Sequence, residues 1–436
     1  MITYDAPVAI DFARGDATGL DIPAHAEALR KAGPEFLTRA FRAFGALSAE
    51  NRVTGITRLE PFAGGNSGHK LLLSVDYATP EPGLHRDLFV KFSRDFEDGF
   101  RDRRRHELES EVRLAALSRH PAFPVAVPAA YFADIESASG TGLLITQRIA
   151  FGEGGVEPLR RKCMDHELAD PLAHYRATFT ALARLAAAHH AGRLSPQLEA
   201  LFPFDAAAAA AENPITLDEA GLRERVARYA AFAERCPQLL PAELTTPQFV
   251  ARLERDAVRF LRHEAVVRRF LTADRDFIAL CHWNTNIDNA WFWRDAAGEM
   301  QAGLLDWGLV RQMNVAVGLW GGLCGAGREI WARHLDELLA RFIDVLQAEG
   351  GPRLEPAELK LHLDLSTAML GLALMMDVPT LALSRLPAIA EASGPLDPIL
   401  FRDEVVRGFL HVFTAFLDLW RRHDFGAALD GVLARS

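Results

Sequence analysis

The chain has 436 residues, 49% of them hydrophobic and 24% charged, with a formal net charge of −10. These values describe an ordinary globular chain of one large domain or two to three lobes, and they exclude fibrous, collagen-like and disordered classes. The acidic balance argues against a nucleic-acid partner, because phosphate neutralisation needs a basic face, and the run Arg101-Asp102-Arg103-Arg104-Arg105 is short and interrupted. Cys163, Cys236, Cys281 and Cys324 are far apart, with no CxxC pair, so neither a disulfide framework nor a structural zinc site is expected. The first residues lack a basic stretch followed by an apolar one, and the most apolar internal stretch, Thr367 to Met376, is too short to span a bilayer. The expectation is a cytoplasmic protein with no membrane span.

Up to about residue 50 the apolar spacing of Phe36, Leu37, Phe41 and Phe44 predicts helix. From Val53 the texture changes to three short strands, Ile56 to Phe62, Lys70 to Tyr77 and Asp87 to Phe92, with a Gly64-Gly65-Asn66-Ser67-Gly68 turn between the first two. A charged helix is predicted over Glu97 to Arg119, with Leu108, Val112 and Ala115 as its apolar stripe. Proline punctuation from Pro121 to Pro128 ends it, and Ala129 to Ala133 and Gly142 to Ile149 supply two more strands. Gly152-Glu153-Gly154-Gly155 reads as a hinge. Beyond it the chain is mostly helical, with 3.6-residue spacing through Leu172 to Ala186, Phe249 to Phe270, Ala332 to Leu346 and Phe409 to Leu419.

Four features carry chemistry. The glycine-rich turn at Gly65 to Gly68 can bring backbone N–H groups close to a phosphate, although its spacing is not that of a Walker loop. Lys91 lies within the apolar strand Leu88-Phe89-Val90-Lys91-Phe92; an ammonium there needs a carboxylate, and Glu107, Glu109 and Glu111 all compete for that role by spacing. The polar cluster His282-Trp283-Asn284-Thr285-Asn286-Ile287-Asp288-Asn289 lies between apolar stretches, predicted as a helix and a strand, and is costly to bury without hydrogen bonds or a ligand. Asp306 ends the apolar run Gly303-Leu304-Leu305, and with Asn289 it offers the hard oxygen donors that Mg²⁺ prefers.

In this order (glycine loop, strand lysine, helix glutamate, hinge, His followed seven residues later by Asn, then strand-Asp-Trp) the chain resembles the aminoglycoside phosphotransferase and choline-kinase-like (CHK-type) small-molecule kinases. The resemblance covers roughly residues 34 to 330. It implies an α+β, two-lobed protein-kinase-like fold, with a small antiparallel N-terminal sheet and a larger helical C-terminal lobe. On this chain that means an N-terminal helical extension over 1–50, an N-lobe over 51–150 and a helical C-lobe over 151–436. It further implies that Gly65, Asn66, Ser67 and Gly68 form the nucleotide loop and that Lys91 pairs with Glu111 and holds the α- and β-phosphates of ATP. Thr146, Gln147 and Arg148 would offer backbone to the adenine edge, and Asn289 and Asp306 would hold Mg²⁺. The partners implied are a nucleotide and a small hydroxylated substrate.

The sequence departs from this pattern in the loop that begins at His282. The family's loop reads His-Gly-Asp, four residues, then Asn; here Trp283 replaces the glycine and Asn284 replaces the catalytic aspartate. An amide cannot accept the acceptor's proton, and a positioned general base contributes about 10²–10⁴ in rate. The acidic helix start that usually follows the Asp-Trp pair is also missing from Asn314-Val315-Ala316-Val317-Gly318-Leu319-Trp320. Three readings stay open: a phosphotransferase using His282, Asn284 and Asp288 as its catalytic-loop residues, with Asp288 or a water as substitute base; a pseudokinase that binds nucleotide or metabolite as a sensor or scaffold; and a different nucleotide-dependent transfer on the same fold. For the acceptor, the segment Met369 to Asp377 is a candidate lining, with helix core as its plainer role. Oligomeric state is not legible.

Overall fold

A computed structural model describes residues 9–62 and 68–435. The fold is α+β, and the chain divides into two compact units. The first comprises Met1–Glu157, Arg193–Leu201 and Gly303–Val310; the second comprises Pro158–Gly192, Phe202–Ala302 and Arg311–Ser436.

In the first unit, two three-residue strands, β1 (Phe12–Arg14) and β2 (Asp21–Pro23), pair antiparallel ahead of the Ala26–Ala43 helix. Residues 9–50 are therefore not purely helical, and Ile22, Phe36, Leu37 and Phe41 among them belong to the same core as the sheet. Gly33, in a left-handed conformation before Pro34, bends the helix. The sheet is β3 (Val53–Pro61), β4 (Lys70–Tyr77), β5 (Asp87–Phe92), β6 (Ala130–Glu136) and β7 (Thr141–Gln147), antiparallel in the order β3-β4-β5-β7-β6.

Side chains alternate across this sheet. Leu71, Leu73 and Val75 of β4, Leu88, Val90 and Phe92 of β5, and Leu143 and Ile145 of β7 form one buried face against the Ala26–Ala43 helix. On the opposite face the register aligns Lys70, Lys91, Leu144 and Ala133 in one cross-strand row. The Leu108–Leu117 helix covers part of that face through Leu108, Val112 and Ala115. The single helix predicted over Glu97 to Arg119 is broken. Asp98 caps a short Gly99–Asp102 turn, and Asp102 faces inward, accepting from Arg94 Nε at 2.7 Å and from Nη2 at 3.2 Å, before the longer helix begins at Leu108.

In the second unit the main helices are Pro171–His190, Glu219–Arg235, Pro247–Arg262, Val315–Leu323, Leu335–Ala348, Pro356–Leu374 and Glu404–Arg422. The stretch with helical spacing over Phe249 to Phe270 forms two helices, separated at His263. Phe260, Phe416 and Phe425 pack edge-on around Trp420 in an aromatic core. Short strands interleave: β8 (Ile278–Cys281) pairs with β11 (Arg311–Asn314), and β9 (Ala290–Arg294) pairs with β10 (Met300–Leu304). Among the described residues no single helix is long and apolar enough to cross a membrane; the pair Pro356–Leu374 and Val378–Arg385, bent by 45°, meets that test by length and composition only.

Candidate functional site

The first unit gathers four charged side chains on the free part of the sheet's second face. Lys91, from β5, is 5% exposed, and its ammonium donates to the Glu111 carboxylate, itself 6% exposed. Glu111 reaches it because it shares the buried face of its helix with Leu108 and Ala115, three and four residues to either side. Of the three glutamates that the spacing left open, this is the one that meets Lys91. Asp306, 215 residues farther along the chain, accepts from the same ammonium at 2.9 Å, and about half of its own side chain stays exposed.

The Asp306 segment is fixed by several bonds within the unit. Leu304 N–H donates to Ala126 O at 2.9 Å, and Trp307 Nε1 donates to Leu304 O at 3.0 Å. Leu309 N–H donates to the hydroxyl of Ser110 at 2.9 Å, next to Glu111. Asp306 itself has φ 55°, a left-handed conformation that aspartate tolerates better than most residues. Such strain in a non-glycine residue is common where a side chain must be aimed at a site.

Lys70, which no motif singles out, completes the group. It is 8% exposed and directly opposite Lys91 across β4 and β5. Burial, then the neighbouring Lys91 charge, lowers its ammonium to about 8, with Asp306 and Glu111 pulling the other way. Burial also disfavours the Lys91 charge, but Asp306 and Glu111 together outweigh it and hold that ammonium above its ordinary value.

Gly65, Asn66 and Ser67 lie outside the described residues. Gly68 is described: its φ is 55°, and a Cβ there would overlap the Phe92 carbonyl oxygen, so only glycine lets the end of the turn lie against the strand that carries Lys91. At the other end of the sheet, Thr146 and Gln147 close β7. Gln147 N–H donates to Ala129 O at 2.7 Å and Arg148 N–H to Asp87 O at 3.1 Å. Both of these donors are thus spent within the first unit.

In the second unit the polar cluster is a loop between two strands, β8 and β9, rather than between a helix and a strand. Its histidine and asparagine side chains are hydrogen-bonded, whereas the buried Thr285 Oγ1 has no hydrogen-bond partner among the described residues. His282 is fully buried, and its Nδ1 accepts from the Asn284 N–H at 3.1 Å. Asn286, 1% exposed, accepts from the Gly325 N–H at 3.0 Å through Oδ1, which turns its Nδ2 to the Asn284 Oδ1 at 2.6 Å. A backbone N–H can only donate, so the orientation of both amides is fixed, and among the described residues the NH₂ end of Asn284 is the uncommitted one. Asn289 donates from Nδ2 to the Asn284 carbonyl at 2.8 Å; among the described residues no donor reaches its Oδ1. Asp288 is half-buried close enough to Cys163 and Cys324 that its charge adds to the burial raising both thiols.

The Val315–Leu323 helix backs this loop without any acid. A Cβ on Gly321 would overlap the Trp283 carbonyl oxygen, so the helix approaches the loop backbone as only glycine permits. Asp165, 3% exposed, holds the following turn by accepting from Gly327 N–H at 2.7 Å and from Tyr175 Oη at 3.1 Å. Of the candidate acceptor lining, Met369 and Met376 are buried in the core. Met376 and Asp377 also border a pocket of about 120 Å³ with Thr216, Leu217 and Arg225, below the ordinary size of a small-molecule site.

Asn289, in the second unit, commits its amide nitrogen to the Asn284 carbonyl, and Asp306, in the first, keeps about half of its side chain exposed; amide and carboxylate oxygens are of the type that Mg²⁺ takes. Among the described residues no cluster of three or more His, Cys, Asp or Glu side chains could hold a metal without further ligands.

No family model matches the chain, and no curated protein does. Solved structures do. A choline/ethanolamine kinase family protein from Mesorhizobium loti is 16% identical, with 90% of this chain and 97% of that one covered at a TM-score of 0.43. A spectinomycin phosphotransferase in complex with ADP and spectinomycin is 11% identical, covering 83% and 94% at 0.42. A GDP complex of aminoglycoside 2′-phosphotransferase-IIIa is 14% identical, covering 84% and 94% at 0.35. Choline/ethanolamine kinases and aminoglycoside phosphotransferases are thus among the solved structures similar to this chain.

Proposed function

We propose that this chain is a phosphotransferase-like protein that binds ATP with Mg²⁺ and transfers the γ-phosphoryl group to an oxygen of a small hydroxylated molecule. The observation that carries the reading is the buried Lys91 ammonium, held by Glu111 and by the half-exposed Asp306. A lysine in this setting stays charged and fixed in position, as a group that must hold phosphate oxygens requires.

In this reading Lys91 holds the α- and β-phosphates, and Asn289 and Asp306 would hold Mg²⁺, which supplies neutralisation of charge on the phosphate oxygens. The Gly68 end of the glycine turn sets backbone beside them. Transfer forms a bond between the acceptor oxygen and the γ-phosphorus and breaks the bond from that phosphorus to the bridging oxygen of the departing ADP. The acceptor's proton must go to a base. Asn284 cannot take it, so Asp288 or a solvent water takes that part, and the transfer is slow for a loop of this kind.

The fixed amide of Asn284 also supports the second reading, a pseudokinase that retains nucleotide without turnover. The two are separated by assaying phosphoryl transfer from ATP to a panel of small alcohols, with basal ATP hydrolysis, for the wild type, Asn284→Asp and Lys91→Met. Measurable wild-type transfer that rises in Asn284→Asp and is lost in Lys91→Met supports the phosphotransferase. No turnover in any of the three contradicts it.

A further inference from the structure

Lys70 lies outside every motif that the nucleotide reading uses. As the first residue of a strand after a glycine turn it would ordinarily run its ammonium out to water. It is instead 8% exposed, and the register places it directly opposite Lys91, on the same face of the sheet. Like charges directly opposite each other destabilise a sheet. A core built for stability alone would pair Lys91 with an apolar or acidic side chain, as it does on the other flank, where Leu144 is the cross-strand partner.

The charges facing Lys70 are Lys91 on β5, Glu111 on the Leu108–Leu117 helix, Asp306 on the Gly303–Val310 segment and Arg101 on the Gly99–Asp102 turn. Glu111 and Asp306 both bond to Lys91. Two lysines thus share this face with two carboxylates, both of which also hold Lys91. We propose that Lys70 is a second cationic anchor for the polyphosphate of the nucleotide, acting beside Lys91 from the neighbouring strand. The proposal rests on the nucleotide reading above and adds to it a residue that binds the phosphates directly. A polyphosphate brings several negative charges to a face where two lysines lie directly opposite each other, and two lysines one strand spacing apart can each take a separate oxygen.

The test is calorimetric titration of the full chain with Mg²⁺-ATP and, separately, with adenosine, for the wild type, Lys70→Met, Lys70→Gln and Lys70→Arg. Both neutral variants are expected to bind ATP roughly tenfold or more weakly, as loss of a charged hydrogen bond implies, with unchanged affinity for adenosine. Lys70→Arg should recover most of the loss. Neutral variants that bind ATP as the wild type does, or that lose ATP and adenosine alike, overturn the proposal. A wild type that fails to bind ATP overturns the nucleotide reading itself, a distinct result.

Discussion

Asn284 is where a single atom decides the chemistry. Its Oδ1 is taken by Asn286, whose own orientation is set by the Gly325 N–H, so a donor rather than an acceptor is left uncommitted. A carboxylate at the same place would accept the same bond from Asn286 and leave its second oxygen available. Asn284→Asp is therefore expected to fold with an unchanged melting temperature and to raise phosphoryl transfer, with a ceiling of about 10²–10⁴, the usual contribution of a positioned base. Parallel melting and rate measurements check both halves. The identity at position 284 was legible in the sequence; the orientation was not, because it depends on a backbone group in the Gly325 turn. Lys70 was missed for a similar reason. Its significance lies in the register opposite Lys91, and register follows from hairpin geometry rather than from residue type.

Among elements, the β4 and β5 strands were legible to the residue, since two-residue alternation flanked by turn residues leaves little freedom. The Glu97 to Arg119 helix was not, because Asp102 turns inward to hold Arg94, a tertiary contact that overrides local periodicity. The strands β1 and β2 are too short to show a period. The acid missing after the Asp-Trp pair has a structural counterpart in the Val315–Leu323 helix, which supports the loop by close approach at Gly321. Gly321→Ala is expected to lower stability by about 1–3 kcal/mol, the usual cost of overpacking, and to displace the loop; chemical denaturation reads the first and loss of ATP-dependent turnover the second. The Pro356–Leu374 helix carries an acid-sensitive contact. His362 stacks on Phe277 at 3.8 Å and its Nδ1 lies 2.7 Å from the Asn314 amide nitrogen. Burial lowers its pKa to about 4, with Glu358 and Asp274 opposing and Arg435 reinforcing. The folded imidazole thus stays neutral while the unfolded one takes a proton, so this contribution is complete above pH 6.5 and is lost as the pH falls towards 4. It amounts to about 3 kcal/mol at most. Unfolding curves from pH 7 to 4 should show a steeper loss in the wild type than in His362→Gln; equal slopes would remove His362 from the account.

At the scale of the whole molecule, the division into a sheet-bearing unit and a helical unit was legible from the change of texture at Val53 and the glycines at 152, 154 and 155, close to the boundary at Glu157. The return of Gly303–Val310 to the first unit was not, because nothing local in that segment announces a partner 215 residues away. That return gives the candidate site its exposed acid, so the metal dependence of nucleotide binding should reside in Asp306: Asp306→Ala is expected to bind ATP equally with and without Mg²⁺. The most direct measurement is a calorimetric titration of the wild-type chain with ATP, in the presence and absence of Mg²⁺. The account predicts saturable binding that Mg²⁺ strengthens. No binding under either condition would contradict it, and would leave the Lys91, Glu111 and Asp306 cluster as a structural ion-pair network.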